Sequence, residues 1–445
     1  MKTSVEELSP VKKRIRIEID AEEVNKSLNR AYGEIRKQAK IPGFRPGKAP
    51  RKILESYYGS QVADDVTREL ISESFPKAVD EVSAYPLGQP LLEKEPLKQG
   101  ERFVYSAVME VRPEFEVKDY LDLEVEKEKP AVTEDHVLKR LEEIREQNGR
   151  LVSIEEERPV QEDDFVIIEY EGFENGQPLE GVKSSNQMVK MGRNDFHPQF
   201  DEVLMGCKKG DEPEIQATFE ADHHNPKLAG KNVVFSTKIT DIKELQVPDL
   251  TDEFVQGLGA DVQDVEGLKA EIEKGLIAQE EARVDRELKD RLLEKIAQGT
   301  DIQLPQVLVD AEAASSVERL AGRLRMGGSS LEAAGLSEEK LKQDMMPASE
   351  KRVKEMLILG QIAKQEEIEL TDEDLEEGYR NLAERTGQDI DTLKKYYEAR
   401  GQVDSLRDHL LEEKTLNYLV DHAKVLEKEK GELSQEKSGE EDKIS

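Results

Sequence analysis

The spacing of apolar residues changes twice along this chain of 445 residues, and that change restricts the fold more than any other feature. Strand and helix patterns are mixed over residues 1–112, short Gly-punctuated strands fill 158–246, and helical spacing dominates 247–426. A chain of this length folds into several domains, each with its own hydrophobic core. The sequence therefore predicts a multidomain α+β protein with a charged connector at 113–157 and a disordered acidic tail at 427–445.

The composition is typical of a chain with a large exposed surface and small hydrophobic cores. Charged residues make up 37% of it and hydrophobic residues 36%, and Trp is absent. With Cys207 as the single cysteine, no intramolecular disulfide can form, and no apolar run reaches the length of about 18 residues typical of a membrane span. These features, with no apolar signal segment at the start, favour a cytoplasmic protein. Lys208 and Lys209 follow Cys207 and are expected to lower the pKa of its thiol.

Charge is unevenly distributed along the chain. The formal net charge is −33, yet residues 1–60 carry 14 Lys and Arg against 8 Asp and Glu, which leaves −39 for the remainder. This balance excludes a protein that coats nucleic acid along its whole surface. A basic end on an acidic chain nevertheless suits a polyanionic partner. The same charge also fits a solvated helical face, and composition alone leaves both interpretations open.

The amino-terminal region reads as a strand followed by helices. Alternating isoleucines predict a half-buried strand over 13–19. Asp20 and Glu23 then form a capping-box pattern at the start of a helix. A short helix beginning at Arg51 is predicted to end at Gly59, with a longer helix after it.

The loop PGFRPGKAP at residues 42–50 joins two of these helices and places Phe44 beside Arg45 and Lys48. Arg offers a rigid donor fork and Lys a point charge, which suits phosphates or acidic side chains. Phe44 can insert into an apolar slot or stack on a base. Prolines restrict the loop, so docking costs less entropy. An ordinary turn with Phe44 packed on its own helices is the other interpretation of this pattern.

The loop resembles the ribosome-docking signature of the bacterial trigger factor family, G-F-R-x-G-K-x-P, which ends here at Pro50. The likeness assigns ribosome binding to Gly43, Phe44, Arg45, Pro46, Gly47 and Lys48. It covers nearly the whole chain except the tail. It implies a ribosome-binding domain at the amino end, a prolyl isomerase domain in the middle and an all-α chaperone domain with long helical arms. It also implies that Phe44, Arg45 and Lys48 contact an exit-tunnel protein and adjacent rRNA.

Residues 158–246 carry aromatic and aliphatic residues on short strands. Prolyl isomerisation needs no nucleophile, because an apolar pocket that desolvates the amide and favours its twisted geometry lowers the barrier of roughly 18–20 kcal/mol. The core of any small barrel would look the same, so the pattern alone leaves the function open. The segment is similar to the FKBP-type isomerases, which implies a small β-barrel or half-barrel.

This second likeness assigns six residues to the isomerase pocket: Tyr170, Leu179, Phe196, His197, Phe200 and Phe235. Leu179 with Glu180 replaces the usual Phe-Asp, and residues 222–224 read Asp-His-His where a Tyr is usual. His197 stands where an aliphatic wall is expected. An imidazole there makes the pocket wetter, which predicts weakened turnover.

No cofactor or metal is expected. His197, His223 and His224, with the nearby Asp195 and Asp222, form only a weak metal-ligand pattern, because adjacent histidines tend to point apart and no Cys or second spaced pair completes a tetrahedral set. The chain also contains no G-x-x-x-x-G-K-[ST] loop, so capture and release of a client should not need ATP.

By resemblance, the sequence predicts a ribosome-associated chaperone that binds nascent polypeptides at the exit tunnel without ATP and isomerises prolyl bonds with weakened turnover. Its expected partners are the ribosome and unfolded polypeptides, with no membrane, and the likeness implies a homodimer off the ribosome. An alternative from another class is an rRNA-binding ribosome-assembly factor with a non-catalytic FKBP-like domain. A stand-alone prolyl isomerase fits poorly, because most of the chain lies outside 158–246.

Overall fold

The computed structural model describes residues 1–429 except 46, 157, 194–196, 221–226 and 260–261. Its strands are β1 (Lys2–Ser9), β2 (Lys12–Ile19), β3 (Leu91–Lys94), β4 (Phe103–Glu110), β5 (Glu124–Glu128), β6 (Arg150–Ser153), β7 (Phe165–Glu174), β8 (Gln177–Lys190), β9 (Glu214–Thr218), β10 (Asn232–Gln246) and β11 (Lys424–Lys428). Its helices are α1 (Ala21–Gln38), α2 (Arg51–Val82), α3 (Glu134–Gln147), α4 (Pro198–Leu204), α5 (Asp252–Gly257), α6 (Val265–Gly299), α7 (Gln306–Met326), α8 (Glu338–Gln365), α9 (Asp372–Thr386), α10 (Ile390–Ala399) and α11 (Val403–Asp421). The predicted mixed architecture with a helical carboxy-terminal region is confirmed.

The chain divides into two compact units. The first unit comprises Met1–Val125 and Lys289–Val425, and the second comprises Glu126–Leu288 with the residues from Leu426 onward. The amino-terminal sheet therefore shares a unit with most of the carboxy-terminal helices, although the sequence suggested consecutive segments. None of the described helices has the length and apolarity needed to span a membrane.

An antiparallel sheet of order β1-β2-β4-β3 begins the first unit. Strand β2, predicted from alternation, turns Ile15, Ile17 and Ile19 to its buried face. Phe103 and Tyr105 of β4 lie on the same face, opposite β2. Helices α1 and α2 cover this face with Val24, Leu28, Leu54, Val62, Val66 and Leu70. The helices that carry the 42–50 loop are therefore fixed by one continuous core.

Two local predictions for this unit are wrong. The Asp20 side chain does not cap α1, because its Oδ2 instead accepts a hydrogen bond from the amino terminus of Met1 at 2.8 Å. The predicted break at Gly59 does not occur, since α2 continues through it. A glycine inside a helix costs about 1 kcal/mol relative to alanine. Burial of Leu54 and Val62 on either side outweighs that cost.

The helical part of the first unit has two small cores. Helices α7 and α8 pack through Val309, Val353 and Leu357. Helices α9, α10 and α11 share a second core around Tyr379. The loops between these helices fall near the Gly and Pro breaks that the sequence predicted, as at 300–305 before α7.

The carboxylate of Glu366 links the segment after the amino-terminal sheet to these helices by hydrogen bonds. Glu366, just after α8, accepts hydrogen bonds from the hydroxyls of Tyr120 and Tyr418. The Gln365 side chain exchanges hydrogen bonds with the Val117 backbone at 3.0 and 3.1 Å. The two hydroxyls lower the pKa of Glu366, whereas burial and the Glu366 carboxylate raise the pKa of Tyr120 to about 12. Because Glu366 stays ionised, both tyrosines keep an acceptor at neutral pH.

The second unit contains the predicted small β domain. Its sheet has the order β6-β10-β7-β8, with β9 also paired to β10. Among the described residues β8 forms no ladder with β6 or β9, so the sheet is open and is not a closed barrel. Alternate residues of β10 enter the core, and α4 closes it through Phe200 and Leu204. Helices α3, α5 and α6 share a separate small core.

The carboxy-terminal end differs from the sequence interpretation at its first residues. Glu427 and Lys428, placed in the disordered tail from sequence, belong to β11. Lys129 and Lys428 are joined by a backbone hydrogen bond of 2.9 Å, which the charge-rich composition did not indicate. The rest of the tail, from residue 430 onward, lies outside the described residues.

Candidate functional site

The loop between α1 and α2 is made of two successive turns. The amide of Phe44 donates to the carbonyl of Ile41 at 3.1 Å, and the amide of Lys48 donates to the carbonyl of Arg45 at 3.0 Å. Ile41 is buried at one end of the loop, as is Ala49 at the other. The loop therefore has a defined backbone path with anchored ends.

Glycines and one arginine hold these turns. Gly43 and Gly47 have φ values of +85° and +83°, a conformation that side chains with a Cβ rarely adopt. No atom lies within 4 Å of the position that a Cβ would take at either residue, so backbone conformation and not crowding requires glycine. Arg36, near the end of α1, donates from Nε to the Gly47 carbonyl at 3.0 Å. The signature does not include Arg36, and only the structure reveals this contact.

Arg51 joins the two helices just behind the loop. Its guanidinium carbon lies 3.6 Å from the centre of the Tyr32 ring on α1. Its terminal nitrogen donates to Asn29 at 3.2 Å, and its Nε donates to Glu55 at 2.6 Å. The base of the loop is therefore linked from both sides, which limits the freedom that docking would have to remove.

The signature side chains are open to solvent. Phe44 is 40% exposed and lies outside the buried core of α1 and α2. Arg45 and Lys48 are exposed, and neither forms an ion pair with any described residue. The structure thus places an exposed ring and two exposed cations on the same short loop. Pro46 lies outside the described residues.

In the second unit three rings meet edge to face. The ring centres of Tyr170 and Phe235 are 5.6 Å apart, those of Phe200 and Phe235 are 5.2 Å apart, and those of Tyr170 and Phe200 are 6.4 Å apart. Phe200 and Phe235 are fully buried, and burial raises the pKa of the half-buried Tyr170. Leu179 packs against the same core. Four of the six pocket residues assigned from sequence therefore belong to one cluster.

His197 lies just before α4 and caps it. Its Nδ1 accepts from the amide of Gln199 at 3.4 Å, and its Nε2 lies 3.4 Å from the carbonyl of Thr218. A neutral ring with its proton on Nε2 suits both contacts. Both distances are long for hydrogen bonds, so the two ring nitrogens still gain from hydrogen bonding to water.

Phe219 belongs to the same cluster, although the sequence analysis did not assign it. Its ring centre is 4.9 Å from that of His197 and 6.2 Å from that of Phe235. Alternation along β9, with Ile215 and Ala217 buried, places Phe219 on the buried side. That alternation was the signal that could have identified it.

The other residues named in the sequence analysis of this domain fall in segments that the structure does not describe. Phe196, Asp195, Asp222, His223 and His224 lie outside the described residues. Within the described part of the chain, no group of three or more His, Cys, Asp or Glu is arranged to hold a metal ion.

The predicted lowering of the Cys207 pKa is wrong. Burial and the nearby carboxylate of Asp211 raise the pKa of the thiol. Its Sγ donates to the Val203 carbonyl at 3.1 Å, while the ammonium of Lys209 pairs with Asp241 at 2.7 Å. The Lys209 ammonium is thus paired with Asp241 and does not stabilise a thiolate at Cys207, so the thiol is not activated.

The fold and the ring cluster define a multidomain protein that carries an FKBP-type peptidyl-prolyl cis-trans isomerase domain, and the model of that domain family matches residues 156–240. The model of the bacterial trigger factor protein matches residues 1–144, and the model of the trigger factor C-terminus matches 264–421. The chain belongs to the bacterial trigger factor family of chaperones.

Two curated relatives agree with this assignment. The trigger factor of Geobacter metallireducens is 36% identical over 434 residues, covering 97% of this chain and all of that relative. The trigger factor of Caldicellulosiruptor bescii is 34% identical over 441 residues, covering 98% of this chain and all of that relative. A solved structure described as promiscuous substrate recognition in folding and assembly activities of the trigger factor chaperone is 22% identical. It covers 95% of this chain and 99% of that chain, with a TM-score of 0.48.

Proposed function

We propose that this protein binds the ribosome through Phe44, Arg45 and Lys48, receives nascent polypeptides at the exit tunnel without ATP, and isomerises prolyl bonds. The observation that carries the proposal is the exposed ring with two unpaired cations on a braced turn. The cations suit rRNA phosphates or acidic side chains of an exit-tunnel protein, and the ring suits an apolar slot. Gly43 and Gly47 give the turn its shape, and Pro46 belongs to the same motif.

The proposal assigns a role to each segment of the sequence. Residues 1–112 bind the ribosome, 158–246 isomerise prolyl bonds, and 247–426 hold clients, with 113–157 as connector and the residues after β11 as an acidic tail. Family membership also supports a cytoplasmic location and a dimer away from the ribosome. The negative charge outside the amino end supports the division, because the net charge of −39 over residues 61–445 disfavours contact with rRNA there.

The ring cluster suits prolyl isomerisation because the reaction needs an apolar surface and no nucleophile. Resonance and hydrogen bonding to water both stabilise the planar amide, and burial against the part-exposed Tyr170, Leu179 and His197 would remove the water. The buried rings of Phe200, Phe219 and Phe235 support Tyr170 and His197 from behind. The raised pKa of Tyr170 keeps its hydroxyl protonated, so it remains a donor at neutral pH. Tyr170, Leu179, Phe196, His197, Phe200 and Phe235 remain the proposed pocket residues.

We expect His197→Ile to raise kcat/KM for a prolyl peptide about 5-fold. An imidazole held only by contacts of 3.4 Å must lose water when substrate covers it, at a cost of about 1 kcal/mol that an aliphatic side chain avoids. A protease-coupled prolyl peptide assay measures the change. His409→Ile, at an exposed position on α11, is the matched control. Unchanged or lower turnover in His197→Ile would remove the argument for a weakened pocket.

Suppression of aggregation tests the chaperone part of the proposal. The intact protein at equimolar ratio and without nucleotide should keep a chemically denatured client soluble on dilution. An rRNA-binding assembly factor has no reason to do so. Ribosome cosedimentation with no effect on the client would therefore replace the chaperone proposal by the assembly-factor alternative.

A further inference from the structure

A cavity of about 560 Å³ lies in the first unit, bordered by the turn after α2, the segment after β4 and α8. Helix α2 has 32 residues and is about 48 Å long. The ribosome-binding loop precedes its first residue, whereas the cavity adjoins the turn after its last. The cavity is therefore distinct from that loop, and its size lies within the range of ligand sites.

Part of the cavity lining is apolar. Phe115 and Met356 line it and pack against the core of α7 and α8, so their positions are fixed. Tyr85 also lines the cavity and is 63% exposed, so its ring can be covered by a partner. Large side chains with one face open to solvent are the usual anchors of a peptide-binding surface.

The lining also includes cations. Lys13 of β2, Arg112 after β4 and Lys364 of α8 line the cavity with a single carboxylate, that of Glu114. Glu114 is 93% exposed and lies 3.7 Å from Lys13, which is a loose ion pair. Within the part of the chain that the structure describes, neither Arg112 nor Lys364 has an ion-pair partner. The cavity carries net positive charge in a chain of formal charge −33.

We propose that this cavity binds an acidic segment of an unfolded polypeptide in which carboxylates flank an aromatic or large aliphatic side chain. The carboxylates pair with Arg112 and Lys364, and the apolar side chain covers Tyr85, Phe115 and Met356. The origin of the segment, an unfolded client, rests on the proposed chaperone function, whereas the charge complementarity does not. The basic loop of a second copy would be repelled here.

The test compares two labelled nine-residue peptides titrated into the intact protein at moderate salt. Both contain the same Phe and Leu residues, with Asp and Glu between them in one peptide and Lys in the other. We expect the acidic peptide to bind at least about 10-fold more tightly than the basic one. The combined variant Arg112→Glu and Lys364→Glu should lower the affinity for the acidic peptide by about 10-fold or more.

The matched control is Lys340→Glu with Lys342→Glu, which makes the same charge change near the start of α8 and should alter the affinity less than about 3-fold. Tyr85→Ala should weaken binding of the Phe-containing peptide more than binding of its Phe→Ala counterpart. Equal binding of the acidic and basic peptides, or equal losses in the two charge-reversed variants, would overturn the proposal. So would displacement of the acidic peptide by single-stranded RNA at equal charge concentration, which would indicate a general polyanion site.

Ribosome cosedimentation separates this proposal from the proposed function. The Arg112→Glu and Lys364→Glu variant should still cosediment with ribosomes, because its loop is intact. A wild-type protein that binds the acidic peptide selectively but neither binds ribosomes nor suppresses aggregation would contradict the proposed function and leave the cavity assignment standing. Normal ribosome binding and client protection without acidic-peptide selectivity would contradict only the cavity assignment.

Discussion

Replacing Phe44, Arg45 and Lys48 together by alanine is expected to lower the affinity for ribosomes by at least about 100-fold. The loop offers one ring and two unpaired cations, and their loss removes both the apolar anchor and the charge pairing at the contact. Cosedimentation with purified ribosomes at two salt concentrations measures the loss. Removal of two cations should also make binding less dependent on salt.

The matched control replaces one aromatic residue, one arginine and one lysine elsewhere in the same unit. Tyr57, Arg68 and Lys77 lie exposed on α2, so their replacement by alanine removes an equal ring and equal charge. This control should bind ribosomes almost like the wild type. The loop variant should still suppress client aggregation, since the helical part of the chain is unchanged. A similar loss of ribosome affinity in both triple variants would mean that general surface charge and not the loop is responsible.

Phe200→Ala should lower the unfolding free energy of the second unit by about 3–5 kcal/mol and abolish prolyl isomerisation. Phe200 is fully buried, lies 5.2 Å from Phe235 between ring centres, and joins α4 to β10. Its truncation leaves a cavity that the surrounding rings cannot fill. Urea unfolding monitored on this unit, with a prolyl peptide assay on the same samples, measures both effects.

A second substitution separates folding from chemistry. Phe200→Leu keeps most of the buried volume and should cost less than about 1.5 kcal/mol of stability. We expect kcat/KM to fall by about 10-fold, because the edge-to-face contact that positions the part-exposed Tyr170 ring is lost. Met188→Ala, at a half-exposed position on β8, should change neither quantity appreciably. Full turnover in the leucine variant would show that Phe200 supports the fold without forming the catalytic surface. Ribosome binding should be normal in all three, since the loop lies in the first unit.

Local patterns allowed much of the fold to be predicted. The isoleucine alternation at 13–19 identified β2, and the Gly and Pro breaks separated the carboxy-terminal helices because those residues disfavour helical backbone. The aromatic residues of the middle region predicted a packed core, since large rings on short strands are buried together, but the resemblance to the FKBP-type isomerases assigned the pocket residues. Spacing alone did not predict that the loop contacts the ribosome, and that prediction comes from a six-position resemblance.

Contacts between residues distant in sequence could not be predicted. The pairing of residues 1–125 with 289–425 in one unit leaves no periodic signal in the sequence. The Asp20 carboxylate accepts a hydrogen bond from the Met1 amino terminus, although the sequence predicted that it caps α1. Arg36 donates a hydrogen bond to the Gly47 carbonyl, although it is not part of the loop motif. The same holds for Arg112 and Lys364, whose shared cavity depends on tertiary packing.

Site-specific photocrosslinking from position 44 on translating ribosomes tests the central claim most directly. The account predicts crosslinks from that position to a large-subunit protein at the tunnel exit or to adjacent rRNA, and none from a matched probe at Tyr57, which is exposed on α2. Equal crosslinking from both positions, or none from position 44 while the protein cosediments with ribosomes, would contradict it.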